Sequence, residues 1–201
     1  MYLKKMELCV LIALCLSIAL SCFDFSVKCS DIRERVFRLH ILANSDSKSD
    51  QELKLKVRDR LLLEGLDIFG ESENLQETIS LANENLNRFC AVATDELQKN
   101  GCYYKVSAEV SPCYFNTRTY DSTPCSATLP AGVYTALQIK IGRAEGKNWW
   151  CVMYPSLCVS SSTQKVDDVL PKDETKIVEN KDKYIVKFKV VEWFEAIKSL
   201  F

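Results

Sequence analysis

Between Phe37 and Leu63 the spacing of apolar residues changes from two to three and four, and the rest of the chain reads as cover for that stretch. Phe37, Leu39, Ile41 and Ala43 alternate with Arg38 and His40, the pattern of a strand with one face buried. Asn44-Ser45-Asp46-Ser47 breaks the alternation with short polar side chains that bond their own backbone, so a turn is expected. Ser49 and Glu52 have the spacing of a capping box. Leu53, Val57 and Leu61 then recur at every fourth position, with Leu55 and Leu62 beside them, as on the buried face of a helix. Asp50, Lys54 and Arg58 share the opposite, outer side, and Gly65 is the expected stop.

After a connector at 66–70, Leu75, Ile79, Ala82, Leu86, Phe89, Ala93 and Leu97 predict one long helix from Glu73 to Lys99, closed by Asn100-Gly101. From Cys102 the period is two. Tyr104, Val106, Ala108 and Val110 oppose Tyr103, Lys105, Ser107 and Glu109 in a strand that Pro112 ends. A strand from Tyr114 to Tyr120, a polar hairpin loop from Asp121 to Thr128, and a strand from Val133 to Ile141 follow. Short connections between such runs argue for an antiparallel meander. Residues 160–183 read as a polar surface excursion. Tyr184, Val186 and Phe188 alternate as a last strand, and Val191, Phe194, Ile197 and Phe201 take helical spacing. The fold class expected is α+β: a strand, two helices, an antiparallel β-meander and a C-terminal helix.

The first thirty residues have another pattern. Lys4 and Lys5 precede an apolar run from Leu8 to Leu20, the length of a signal-peptide core. Ala19-Leu20-Ser21 presents small residues where a signal peptidase cuts, which would leave Cys22 first. Extended to Phe25, the same run reads as an uncleaved anchor, and Cys22 is a weaker match to a lipoprotein cysteine. Residues 1–29 are therefore expected to be a signal peptide or membrane anchor, and 30–201 a single exported domain that contacts the membrane only through that segment if it is uncleaved. Of the ten cysteines, Cys9 and Cys15 lie in the apolar run. Cys22, Cys29, Cys90, Cys102, Cys113, Cys125, Cys151 and Cys158 would remain. In an exported chain they permit disulfides of unread connectivity. Cys151 and Cys158 flank a Pro-containing turn that can bring them to bridging distance, so that disulfide is expected.

With a formal net charge of −1 over 201 residues, the chain lacks the basic footprint of a nucleic-acid binder. His40 is the only histidine, and no cysteine has a local signature for pairing with it as a nucleophile. No CxxC or CxxH unit completes a metal set around Cys151 and Cys158, so no metal and no cofactor is expected. Trp149-Trp150 places neighbouring rings on opposite faces of a strand, and an outward ring makes a good protein anchor. Arg38, His40, Asn44, Ser45, Asp46, Asp50, Lys54 and Arg58 form a polar set with no evident role in filling the core. With Trp149 and Trp150 they are the expected partner-binding residues. This inventory points to a binding or signalling module; the alternative, a secreted hydrolase acting on cell-wall material, needs a cleft of converging polar groups.

The sequence from Arg38 to Ser47, with Asp50-Gln51, Leu53-Lys54 and Lys56-Val57-Arg58-Asp59, resembles the N-terminal signature of the stage II sporulation protein R family, secreted signalling proteins of endospore-forming bacteria. The run from Pro130-Ala131-Gly132 through Gly142 to Trp150-Cys151 and Cys158 resembles a second stretch of that family, with Tyr154-Pro155-Ser156 for Phe-Pro-Pro and Gln138 for a usual Arg. The resemblance implies a non-enzymatic protein made in the forespore and exported towards the mother cell. In the intermembrane space it would activate a membrane-embedded aspartic protease, its partner, which removes the pro-sequence of sigma factor E.

Overall fold

A computed structural model of the protein describes residues 2–70, 72–122, 125–155 and 169–198. Strand β1 (Phe37–Leu42) organises it, because both of its faces are buried. Phe37, Leu39 and Ile41 point to one side, where α2 (Lys48–Phe69), α3 (Leu75–Glu84) and α4 (Leu86–Lys99) close a helical layer through Val57, Leu61, Phe89, Ala93 and Leu97. Arg38 and His40 point to the other side. There a second core gathers Phe25, Cys29 and Ile32 of α1 (Tyr2–Glu34) with Phe115, Tyr134, Val152, Phe188 and Val191.

The sheet holds β2 (Val106–Phe115), β5 (Gly132–Ile141), β1 and β6 (Asn148–Tyr154) in the order β2-β5-β1-β6. β2 and β5 pair antiparallel, β1 runs parallel to β5, and β6 lies antiparallel to β1. A separate hairpin is made by β3 (Arg118–Ser122) and β4 (Cys125–Leu129). The α+β class and the C-terminal helix are those expected. The meander, however, is split: β1 sits between β5 and β6, strands adjacent in sequence. A strand covered on both faces is most stable inside a sheet, where both edges are also paired.

Several local expectations change for physical reasons. Helix α2 begins two residues earlier than the capping-box reading, with Ser47 as N-cap; its Oγ accepts the Asp50 amide at 3.2 Å. Gly65 does not stop α2: it is buried within the helix beside the end of the Met153 side chain of β6, and α2 runs on to Phe69. The single helix expected from Glu73 to Lys99 breaks at Asn85, whose side-chain amide donates to the Leu81 carbonyl at 2.8 Å. Pro112 stays within β2, opposite Thr135, because β2 is an edge strand and can spare an amide. Part of the expected loop at 121–128 is β4, and α5 (Lys172–Glu179) forms inside the expected excursion, burying Ile177 and Val178.

The last strand expected at Tyr184–Phe188 is helical, part of α6 (Lys181–Lys198). Tyr184, Phe188, Val191 and Glu195 also fit 4-3-4 spacing, and packing on α1 selects that period. Helix α1 crosses residue 29 without a break. Arg33 fastens it to the body of the protein, donating to the Ala131 carbonyl at 3.0 Å and pairing with Glu195 at 3.2 Å.

Candidate functional site

The turn after β1 meets the β5–β6 connection, and the reason is topological. Because β1 lies between β5 and β6, residues 142–147 must step over its end, about two strand spacings or roughly 9–10 Å. A backbone crossing there has amides with no strand to pair with, and residues 43–46 receive them. Gly146 N donates to the Ala43 carbonyl at 2.9 Å and Glu145 N to the Asn44 carbonyl at 3.3 Å. Arg143 N donates to Asn44 Oδ1 at 3.0 Å and Lys147 N to Asp46 Oδ1 at 2.6 Å. Gly142, at φ 59°, and Gly146 lie so close to Asn44 and Ser45 that side chains would not fit.

Asp50 anchors this clamp to α2. Its Oδ2 accepts from Asn44 Nδ2 at 2.9 Å and Ser45 Oγ at 2.6 Å. Burial pushes its pKa up, but hydrogen bonds from Ser45, Asn44, Tyr104 and Ser47 outweigh that and hold the carboxyl below its ordinary range. Lys54 donates to the Lys147 carbonyl at 2.8 Å and to Gln51 at 2.6 Å. The expectation that Asp50 and Lys54 line the outer side of the helix is thus corrected: both are buried, turned toward the crossover they tie down.

Arg38 and His40 are corrected in the same way. They do oppose Phe37, Leu39 and Ile41, but the far face of the sheet is a core and not a surface. The Arg38 guanidinium sits 3.9 Å over the Phe115 ring and 4.7 Å from that of Tyr134, and donates to the Tyr120 hydroxyl. Its Nε and Nη1 have no hydrogen-bond partner among the described residues.

His40 lies edge-on to Phe115 and Trp150, with Nδ1 3.1 Å from Cys113 Sγ. Sequence reasoning missed this thiol–imidazole pair. Cys113 stands on β2, separated from β1 by β5, and only the strand order brings it near. Burial pushes the imidazole pKa down; the Asn148 side chain works against that, and Arg38 and Lys140 add to it. Burial pushes the Cys113 thiol up, opposed by the same two cations. Both groups are therefore favoured neutral, whereas a cysteine nucleophile needs its thiolate. Among the described residues no three His, Cys, Asp or Glu side chains are gathered as a metal site requires.

The two tryptophans divide between the faces, as alternation predicts: Trp150 packs on the core around Phe115, Trp149 on the helical side. Arg58 covers Trp149, its guanidinium 4.3 Å from the ring and paired with Asp59 at 2.7 Å. Cys151 is buried in β6, and Cys158, its expected partner, lies outside the described residues.

Fold and site define a mixed α+β protein whose signature turn is a structural clamp. It is led by a helix long and apolar enough to cross a membrane, which fits a signal sequence or membrane anchor. The family model of stage II sporulation protein R matches residues 33–164. Stage II sporulation protein R of Bacillus subtilis (strain 168) is 32% identical over 191 residues, covering 84% of each chain. No solved structure matches. The chain belongs to the stage II sporulation protein R family, and its role lies in sporulation, consistent with a protein that is not an enzyme.

Proposed function

We propose that this chain is the exported signal that activates a membrane-embedded aspartic protease in the space between forespore and mother cell. The protease then removes the pro-sequence of sigma factor E. In this reading residues 1–29 act as signal peptide or anchor, 30–201 as the signalling domain, and Cys151 bonds Cys158 once exported. The observation that carries it is the family match over residues 33–164. The apolar part of α1 supports it, since almost none of its membrane-length window is buried in the protein.

The hydrolase alternative has one observation in its favour, the 3.1 Å contact of Cys113 with His40. The neutral state favoured for both groups speaks against it. Co-expression with the protease and its sigma factor precursor separates the two. The wild-type chain is expected to shorten the precursor, and Cys113→Ala to do so equally well. Unchanged precursor with wild type rejects the signalling reading; loss of processing in a folded Cys113→Ala chain returns the hydrolase.

A further inference from the structure

Where α1 and α6 meet the β2–β5 ribbon they enclose a polar cavity of about 310 Å³. Helix α1 contributes Ser30, Arg33 and Glu34, spaced by three and four residues and so on one face. Helix α6 contributes Glu195 and Lys198, three apart on its own inner side. Tyr114 of β2 and Val133 of β5, partners in the sheet register, close the third wall. The volume lies at the lower end of the ~300–1,000 Å³ of small-molecule sites, which suits a ligand of few heavy atoms.

The polar groups of this cavity are unevenly used. Arg33 is engaged by the protein: Nη1 donates to the Ala131 carbonyl at 3.0 Å and Nη2 to Glu195 Oε1 at 3.2 Å. Glu195 is only 7% exposed, yet its other oxygen, Oε2, has no hydrogen bond among the described residues. Glu34 and Lys198 stand exposed at the rim, and neither forms an ion pair with a described residue. The hydroxyls of Ser30 and Tyr114 are likewise without a hydrogen-bond partner among those residues. Burial pushes the Tyr114 pKa up, Glu192 and Glu195 add to it, and Arg33 opposes, so this hydroxyl keeps its proton as a donor.

Charge decides between ligands. An anion alone would meet Glu34 and the open oxygen of Glu195. A cation alone would meet Lys198 beside Arg33. A neutral molecule would take water from a buried carboxylate and return no counter-charge. A molecule with both signs satisfies each group, and side chains three or four apart on a helix, ~5–6 Å between Cβ atoms, can hold its two ends. The partial negative charge at the C-terminus of α1, which ends at Glu34, also favours an ammonium there. We propose that this cavity binds a small zwitterion with an apolar side chain, an amino acid or a dipeptide. Its ammonium lies on Glu195 Oε2 and Glu34, its carboxylate on Lys198 and the hydroxyls of Ser30 and Tyr114. Its side chain rests on Val133, which is 52% exposed. This site goes beyond the signalling reading, since it requires neither the protease nor a membrane.

The test is equilibrium dialysis of the full chain, in non-ionic detergent, against radiolabelled L-valine, L-leucine and valyl-valine. Saturable binding of at least one, at one molecule per chain, is expected, and the comparison tells a free amino acid from a peptide. Isobutylamine and isovalerate, which are valine without its carboxylate or its ammonium, are expected not to displace it at tenfold excess. Glu34→Gln and Lys198→Met are each expected to weaken binding about tenfold or more, the loss of one charged contact. Their melting temperatures without ligand should stay at the wild-type value, because neither side chain is paired within the described residues. No saturable binding of any of the three, displacement by either single-charge analogue, or undiminished binding by both variants overturns the proposal. Processing of the sigma factor precursor is read separately, so either reading can fail without the other.

Discussion

Arg38 is a cation held out of water with aromatic rings as neighbours. Desolvating one ion costs several kcal/mol in practice. Against that stand ring contacts of up to about 2 kcal/mol each when desolvated and a charged hydrogen bond of about 1.5–3 kcal/mol. These terms are of similar size, so the charge itself adds little net stability and the side-chain volume matters more. Arg38→Met is expected to melt within about 1 kcal/mol of wild type in denaturant, while Arg38→Ala leaves a cavity and loses about 2–5 kcal/mol. A large loss in the Met variant would show that the guanidinium is needed as a charge. His40 gives a pH signature. Its folded pKa lies below the ordinary 6.5, so as pH falls the unfolded chain binds the proton first. Its contribution is full above that value and is lost as pH falls from there toward the folded pKa. Denaturation midpoints measured from about pH 7.5 to pH 5 should decline, and His40→Gln should flatten part of that slope.

At the scale of elements, helix α2 offers a test of two serines two residues apart. Ser47 accepts the Asp50 amide and Ser49 lies within the first turn. Ser47→Ala is expected to cost about 0.5–2 kcal/mol, and Ser49→Ala no more than about 0.5 kcal/mol; thermal melts of both distinguish the caps. The misplaced cap shows what was legible. The strand, the turn and the apolar stripe of α2 are local patterns, and they are found where the spacing put them. Which serine caps depends on where the chain leaves the turn, and the crossover at 142–147 settles that. Residues Tyr184 to Phe188 satisfied periods of two and of four alike, and only the surface of α1 chose between them. The polar signature from Asn44 to Asp50 was visible as a special cluster. Its use was not, because the amides it accepts lie about a hundred residues downstream.

For the whole molecule, α1 joins a stretch fitted to a membrane with a stretch packed in the core at Phe25, Cys29 and Ile32. Deleting Met1 to Ser21 is expected to abolish signalling from the forespore while leaving those core residues in the chain. Full precursor processing with the product confined to the forespore cytoplasm would contradict the export reading. That Arg38 and His40 face away from Leu39 follows from the alternation of the strand. Their burial could not be, since the second cover comes from α1, the β3–β4 hairpin and α6, distant in sequence.

The insertion of β1 between β5 and β6 also sets an order of events. Arg38 pairs with Ala136 and Val152, each about a hundred residues further along. A chain emerging N-terminus first can form α2 and α4 from local contacts, but β1 finds its first neighbour only when β5 has arrived and its second only with β6. Loop closure over that length is slow compared with helix formation. The sheet therefore closes last, after the helices, and under the proposed export the part of the chain that precedes β5 would cross before its central strand has a partner.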